Sequence, residues 1–254
     1  MKKFVVLIST GICFFVLANA FISTKKAESG LKPFALIELF TSESCSSCPP
    51  ADKLMNDITD DSNLEGKTIF VVPLHVDYWN HLQWEDPNSS KKFTDRQYAY
   101  DEVLKDGIYT PQAVINGMYP FVGSDKAKLH ENIKKAMRSM PLSGISLLCP
   151  KPQTNENIKI SYKISNLPAN AVLNFAVLKH NIISHVLHGE NEGKELRHAS
   201  ATISFTTIDP YNEGVALLPA VNFNNKGKYS IIAFLQDKTT MKALAAEEIE
   251  LSDF

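Results

Sequence analysis

The sequence has no large excess of charge of either sign. Its formal net charge is −2 over 254 residues, so it makes no electrostatic case for binding nucleic acid or an anionic membrane surface. It lacks a phosphate-binding P-loop, a Gly-rich dinucleotide fingerprint and a G-x-S-x-G nucleophile elbow, which removes the motif grounds for those nucleotide enzymes and serine hydrolases. No internal repeat or low-complexity tract is evident. The marked apolar run, Phe4 to Leu17, is shorter than the roughly 20 residues a spanning helix needs. Cysteine is scarce, at Cys13, Cys45, Cys48 and Cys149 only. What is present is 44% apolar and 21% charged residues, a composition that predicts a packed core rather than disorder.

Lys2 and Lys3, the apolar run and the small residues of Ala18-Asn19-Ala20 describe a secretory signal peptide over residues 1–20. A retained membrane anchor is the competing reading. Ile12 stands before Cys13 where a lipoprotein signal wants a small residue, so lipidation is not expected. Cleavage after Ala20 places the mature chain in the periplasm or outside the cell, with no stable membrane span. It leaves three cysteines, an odd number, in an oxidising compartment. A Cys45–Cys48 disulfide is therefore expected at rest, with Cys149 left over.

Residues 21–33 read as a polar linker. Phe34 to Phe40 is a short apolar run bounded by Pro33 and Thr41, a buried strand. Pro49 and Pro50 suit the first turn of a helix, and Leu54, Met55 and Ile58 follow at helical spacing. Lys67 to Val76 predicts a strand parallel to the first. Ser89 to Asp106 reads as a helix, with Phe93, Tyr100 and Leu104 on one face. Asn116-Gly117 marks a tight hairpin turn, and Ser124 is the expected N-cap of a helix running to Met140. Beyond Pro141 strand periodicity takes over, as in Ile158 to Ile164. The expectation is an α/β thioredoxin-like domain over residues 34–142, followed by an all-β sandwich domain over 143–254.

Cys45 and Cys48 then stand between a strand end and a helix start. The turn holds their sulfurs close enough to bond, and the N–H groups of the helix start are expected to stabilise the thiolate of Cys45. Cys45 is the expected nucleophile and Cys48 the resolving thiol. A structural disulfide is a weaker alternative, because so small a loop gains little chain entropy. A metal site is another, though a lone C-x-x-C lacks the second pair usual for structural zinc. Thr110-Pro111 stands before a predicted strand, where thioredoxin-like folds place a cis-proline that lies against the cysteine pair and presents backbone to a peptide; the resemblance to that fold implies a cis bond here. A trans proline at a strand start is the plainer reading.

His75, Asp77 and His81 follow the second strand, where sites gather in open α/β sheets. His75 or Asp77 could accept the Cys48 proton, or a histidine could join the two thiolates in a copper site. Alternatively Asp77 caps the next segment. Glu38 stands mid-strand, where an unpaired carboxylate is costly. It could be a proton-transfer group near the disulfide, face solvent, or pair with a base such as Arg96. His188, Glu190, Asn191, Glu192 and His198 form either a polar loop or a divalent-metal cluster.

The stretches IELFTSESCSSCPPADKLM, PLHVDYWNHLQWEDP, FTDRQYAY and YTPQAVING resemble the DUF1223 family of exported bacterial proteins. HGENEGKELRHASA resembles its second half, though Ala199-Ser200-Ala201 replaces the family's usual Val-Val-Arg. The resemblance implies a thioredoxin-like fold and export. Ser46 and Ser47 replace the Gly-Pro spacer of thioredoxin itself, and no Trp precedes Cys45. The function expected is thiol–disulfide exchange on a protein or small thiol/disulfide partner, without a cofactor or bound metal. Soft-metal carriage, or a non-catalytic envelope role, is the alternative.

Overall fold

A computed structural model of the protein describes residues 24–28, 31–59, 68–152, 155–223 and 227–251. The signal peptide, Cys13 and the cleavage site lie outside the described residues.

The first central strand, β2 (Phe34–Thr41), is buried along its whole length because both faces are covered. On one face Ala35, Ile37 and Leu39 pack against helices α1 (Pro49–Thr59) and α3 (Lys126–Ala136) through Leu54, Met55, Ile58, Leu129 and Ile133. β2 runs parallel to β3 (Thr68–His75) and antiparallel to β4 (Gln112–Ile115), which pairs with β5 (Tyr119–Val122). This gives a sheet ordered β3-β2-β4-β5. Asn116 and Gly117 both have positive φ, +50° and +68°, as a type I′ hairpin turn requires. A Cβ on Gly117 would stand 1.9 Å from the carbonyl oxygen of Met241, so no other residue fits there. Asn116 also accepts from the Leu36 N–H at 2.7 Å and donates to the Phe34 carbonyl at 3.0 Å.

The rest of the chain is strand: β6 (Gly144–Pro150), β7 (Ile158–Ser165), β8 (Ala171–His185), β9 (Glu195–Ile208), β10 (Glu213–Leu218), β11 (Tyr229–Asp237) and β12 (Ala243–Leu251). They form two sheets. One is ordered β12-β11-β8-β9; the other is β6-β7-β10 with β1 (Thr24–Glu28) on its edge. The alternation in β11 shows the layering. Ile231, Ala233 and Leu235 face the outer sheet, meeting Ile145, Ile160 and Ile164. Ile232 and Phe234 face the first sheet, meeting Leu36, Phe40, Val72 and Leu74.

Three stacked sheets therefore replace the expected α/β thioredoxin-like domain with an appended sandwich. Most regular structure is strand, and the described residues contain three α-helices. The reason is physical. The face of β2 and β3 that an α/β unit gives to helices is covered mainly by strands β8 and β11, with Phe93 and Tyr100 of α2 (Lys91–Leu104) at its side. The expected linker is also corrected. Residues 24–28 form β1, pairing with β6 from Thr24↔Pro150 to Glu28↔Ser146. The N-cap of α3 is Asp125, which accepts from the Lys128 N–H at 2.9 Å, and not Ser124.

Candidate functional site

The loop after β2 and the start of α1 lie at the C-terminal ends of two parallel strands, β2 and β3. Cys45 and Cys48 sit in this loop, both buried. They stand as thiols, so the bond expected between them is not formed. The Thr110–Pro111 bond is cis, and Thr110 lies against the pair. Trp79 Nε1 donates to Thr110 Oγ1 at 2.8 Å, which turns the hydroxyl hydrogen toward Cys45 Sγ at 3.3 Å. Ser47 Oγ lies 3.2 Å from the same sulfur and donates to the Thr110 carbonyl at 3.3 Å.

These contacts make the two thiols unequal. Hydrogen bonding from the Cys48 thiol, against the opposing cost of burial and with help from Ser47 and Thr110, lowers the Cys45 pKa to about 6. Burial first, and then the neighbouring Cys45, raise Cys48 far above the ordinary thiol range. The helix start contributes differently from expectation. Pro49 and Pro50 carry no N–H, and the N–H groups of Ala51 and Asp52 donate to the Cys48 carbonyl at 2.8 and 3.1 Å. The thiolate of Cys45 is thus favoured by side chains and by Ser47. Cys149, buried in the sandwich, is pushed up to about 11 by burial alone.

The sequence candidates separate in space. Glu38 is not brought to the cysteines. Its carboxylate receives Arg96 Nε, Arg96 Nη2 at 3.0 Å, and the Tyr100 hydroxyl. Asp77 is likewise engaged elsewhere: Thr94 Oγ1 donates to its carboxylate and receives its N–H at 3.1 Å. His81 is exposed and bonds the Tyr78 carbonyl. His75 does belong to the site. It is fully buried, with Nδ1 2.7 Å from Asp86 Oδ2, and its ring meets that of His198 edge-on at 5.1 Å between centroids. Burial alone would pull its pKa down, but the carboxylates of Asp86, Asp52 and Glu43 outweigh that and raise it to about 9.

Glu43, Asp52 and Asp86 carried no sequence assignment, and all three are buried here. His198, read as part of a loop cluster, arrives from β9. Its Nε2 stands 3.4 Å from Glu43 Oε1 and its Nδ1 4.0 Å from Asp52 Oδ2. The signal available was spacing: Asp52 lies four residues after Cys48, hence on the same helical face. The loop before β9 also clasps the cysteine segment. Asn191 Nδ2 donates to the carbonyls of Glu43 and Cys45 at 2.8 and 2.9 Å, and Glu190 Oε2 accepts from the Ser46 N–H at 2.9 Å. His188 and Glu192 are exposed. Among the described residues no three His, Cys, Asp or Glu side chains stand so as to hold a metal ion.

Fold and site define a mostly-β, three-sheet protein with a dithiol loop clasped by its own second half. The family described as a protein of unknown function, DUF1223, matches residues 36–236, and the chain belongs to that family. A crystal structure of a protein from Agrobacterium tumefaciens is similar, with a TM-score of 0.63 at 22% identity over 89% of this chain and 97% of that one. At that identity the likeness concerns the fold alone. A β-glucuronidase from Ruminococcus gnavus aligns with a TM-score of 0.25 at 14% identity, over 44% of this chain and 16% of its own, and carries no argument. No curated protein matches the chain. No helix among the described residues is long and apolar enough to cross a membrane.

Proposed function

We propose that the protein carries out thiol–disulfide exchange, with Cys45 attacking a disulfide partner and Cys48 resolving the mixed disulfide. The observation that carries this reading is the setting of Cys45 Sγ: the Thr110 hydroxyl donates to it at 3.3 Å and Ser47 Oγ lies 3.2 Å away, and with the Cys48 thiol these contacts lower its pKa to about 6. A sulfur with that pKa is largely thiolate at neutral pH, the form that attacks disulfides. Thr110 and Pro111 would border the incoming partner, and the exposed Ser46 and Ser47 lie over the buried sulfur. Export to the periplasm or beyond fits such chemistry.

The test uses the reduced full-length protein and an aromatic disulfide whose released thiol is coloured. Cys45→Ser abolishes rapid release, and Cys48→Ser leaves a stable mixed disulfide on Cys45 visible by mass. A wild-type protein no faster than Cys45→Ser would end this reading.

A further inference from the structure

Cys48 is buried and held in its protonated form, yet a resolving thiol must give up its proton. Asp52 lies one helical turn on, itself buried. The Thr41 hydroxyl donates to its Oδ1 at 3.0 Å, and its Oδ2 faces His198 Nδ1 at 4.0 Å. His198 from β9, His75 from β3 and Asp86 from the following segment stand close enough to act on its charge, Cys48 feels that charge in turn, and Glu43 from the loop after β2 meets His198. Of this cluster His75 Nε2 is buried without a hydrogen-bond partner, and Glu43 Oε1 and His198 Nε2 lack hydrogen bonds but face each other as an ion pair at 3.4 Å. Such atoms are rare in folded proteins and call for a reason. Beside Asp52 and His198 lies a cavity of about 10 Å³, also lined by Asn56, Thr59 and Ser200. That is about the room one water needs, and Thr59 is exposed.

We infer that Asp52, steadied by His198 from the opposite half of the chain, takes the proton of Cys48 in the resolving step and releases it through this cavity. The inference rests on the exchange reading above. With a substrate sulfur bonded to Cys45 Sγ, the Cys48 S–H proton passes to the Asp52 carboxylate. The electron pair left on Cys48 forms the Cys45–Cys48 bond. The bond from Cys45 to the substrate sulfur breaks, and its pair departs on that sulfur as thiolate. Over the whole exchange the substrate disulfide gains two electrons and the protein dithiol loses them. Burial raises the carboxyl of Asp52 above its ordinary range, while His198 and His75 pull the other way. The group is therefore a better proton acceptor than an exposed aspartate. Asp52 and His198 are positioning and proton-handling residues; neither meets the substrate.

The same coloured-disulfide reaction tests this, because Cys45 attack releases the first aromatic thiol and Cys48 resolution the second. In D52N the second phase slows relative to the first by at least about 100-fold at pH 7, the usual scale of general-base catalysis. The deficit shrinks as pH rises and hydroxide replaces the carboxylate. H198Q, which keeps a buried polar side chain, shows the same pH-dependent slowing, to a smaller degree. A second phase in D52N as fast as in wild type, or slowed by one factor at every pH, overturns the inference. A wild-type protein lacking the first phase instead overturns the exchange reading on which it rests.

Discussion

Two buried polar clusters touch the ends and middle of the same strand, and they are satisfied to different degrees. In the middle of β2, Glu38 is held by two of the three Arg96 guanidinium nitrogens and by Tyr100, while Gln236 Nε2 donates to the Tyr100 hydroxyl at 2.9 Å and its Oε1 accepts from Arg96 Nη2 at 3.0 Å. The Arg96 guanidinium also lies over the rings of Tyr100, Phe205 and Phe234, about 5 Å from each centroid. No buried polar atom of these side chains lacks a hydrogen-bond partner. Beyond the C-terminal end of β2, His75 Nε2 is buried without a hydrogen bond, and Glu43 Oε1 meets His198 Nε2 only as an ion pair at 3.4 Å. The first cluster joins two sheets; the second lies beside the helix start that carries Cys48 and Asp52. Completeness of hydrogen bonding thus separates a structural polar core from one with ionisable capacity to spare.

The largest expected effect breaks the satisfied cluster. Arg96→Met removes the cation paired with Glu38 between two sheets, and it should cost about 3–5 kcal/mol in urea unfolding, the scale for orphaning one member of a buried pair. Glu38→Gln added to that variant recovers part of the loss, because the unpaired carboxyl is gone.

The second effect is a pH dependence from the other cluster. The His75 pKa is raised to about 9 from an ordinary 6.5. Its stabilising contribution is therefore complete below about pH 6.5 and is lost as pH rises through about 9. Unfolding free energy should fall by a few kcal/mol between those limits, and Asp86→Asn should flatten the fall by removing the closest counter-charge. The smallest effect concerns the clasp between the halves. Asn191→Ala removes two hydrogen bonds from the carbonyls of Glu43 and Cys45 and should cost about 1–3 kcal/mol, read from the denaturation midpoint.

Local features were legible in the sequence. The Cys45–Cys48 pair, the proline-led helix, the Asn116-Gly117 turn and the cis Thr110–Pro111 bond each depend on a few neighbouring residues. The stacking of sheets was not, although β8 and β11 begin with long apolar runs. Such runs mean burial on both faces, and the sequence does not say whether a helix or a sheet supplies each cover. Thr24 to Glu28 carries no apolar alternation and so has the pattern of a linker; β1 is held by main-chain pairing with β6. The acid–imidazole cluster escaped for a related reason. His198 is separated from Glu43 and Asp52 by well over a hundred residues of chain, and only the closure of β9 against β3 and α1 brings them together. Glu38 was attributable to Arg96 or to the cysteines, and the layer on which it sits decides for Arg96.

The central claim is that this fold makes Cys45 a thiolate at neutral pH. Its alkylation rate by iodoacetamide, followed site by site from pH 4 to 10 in the reduced protein, tests that most directly. The account predicts a midpoint near 6 for Cys45, moving upward in Thr110→Ala. A midpoint near the ordinary thiol value of 9.0, or one indifferent to Thr110, would contradict it.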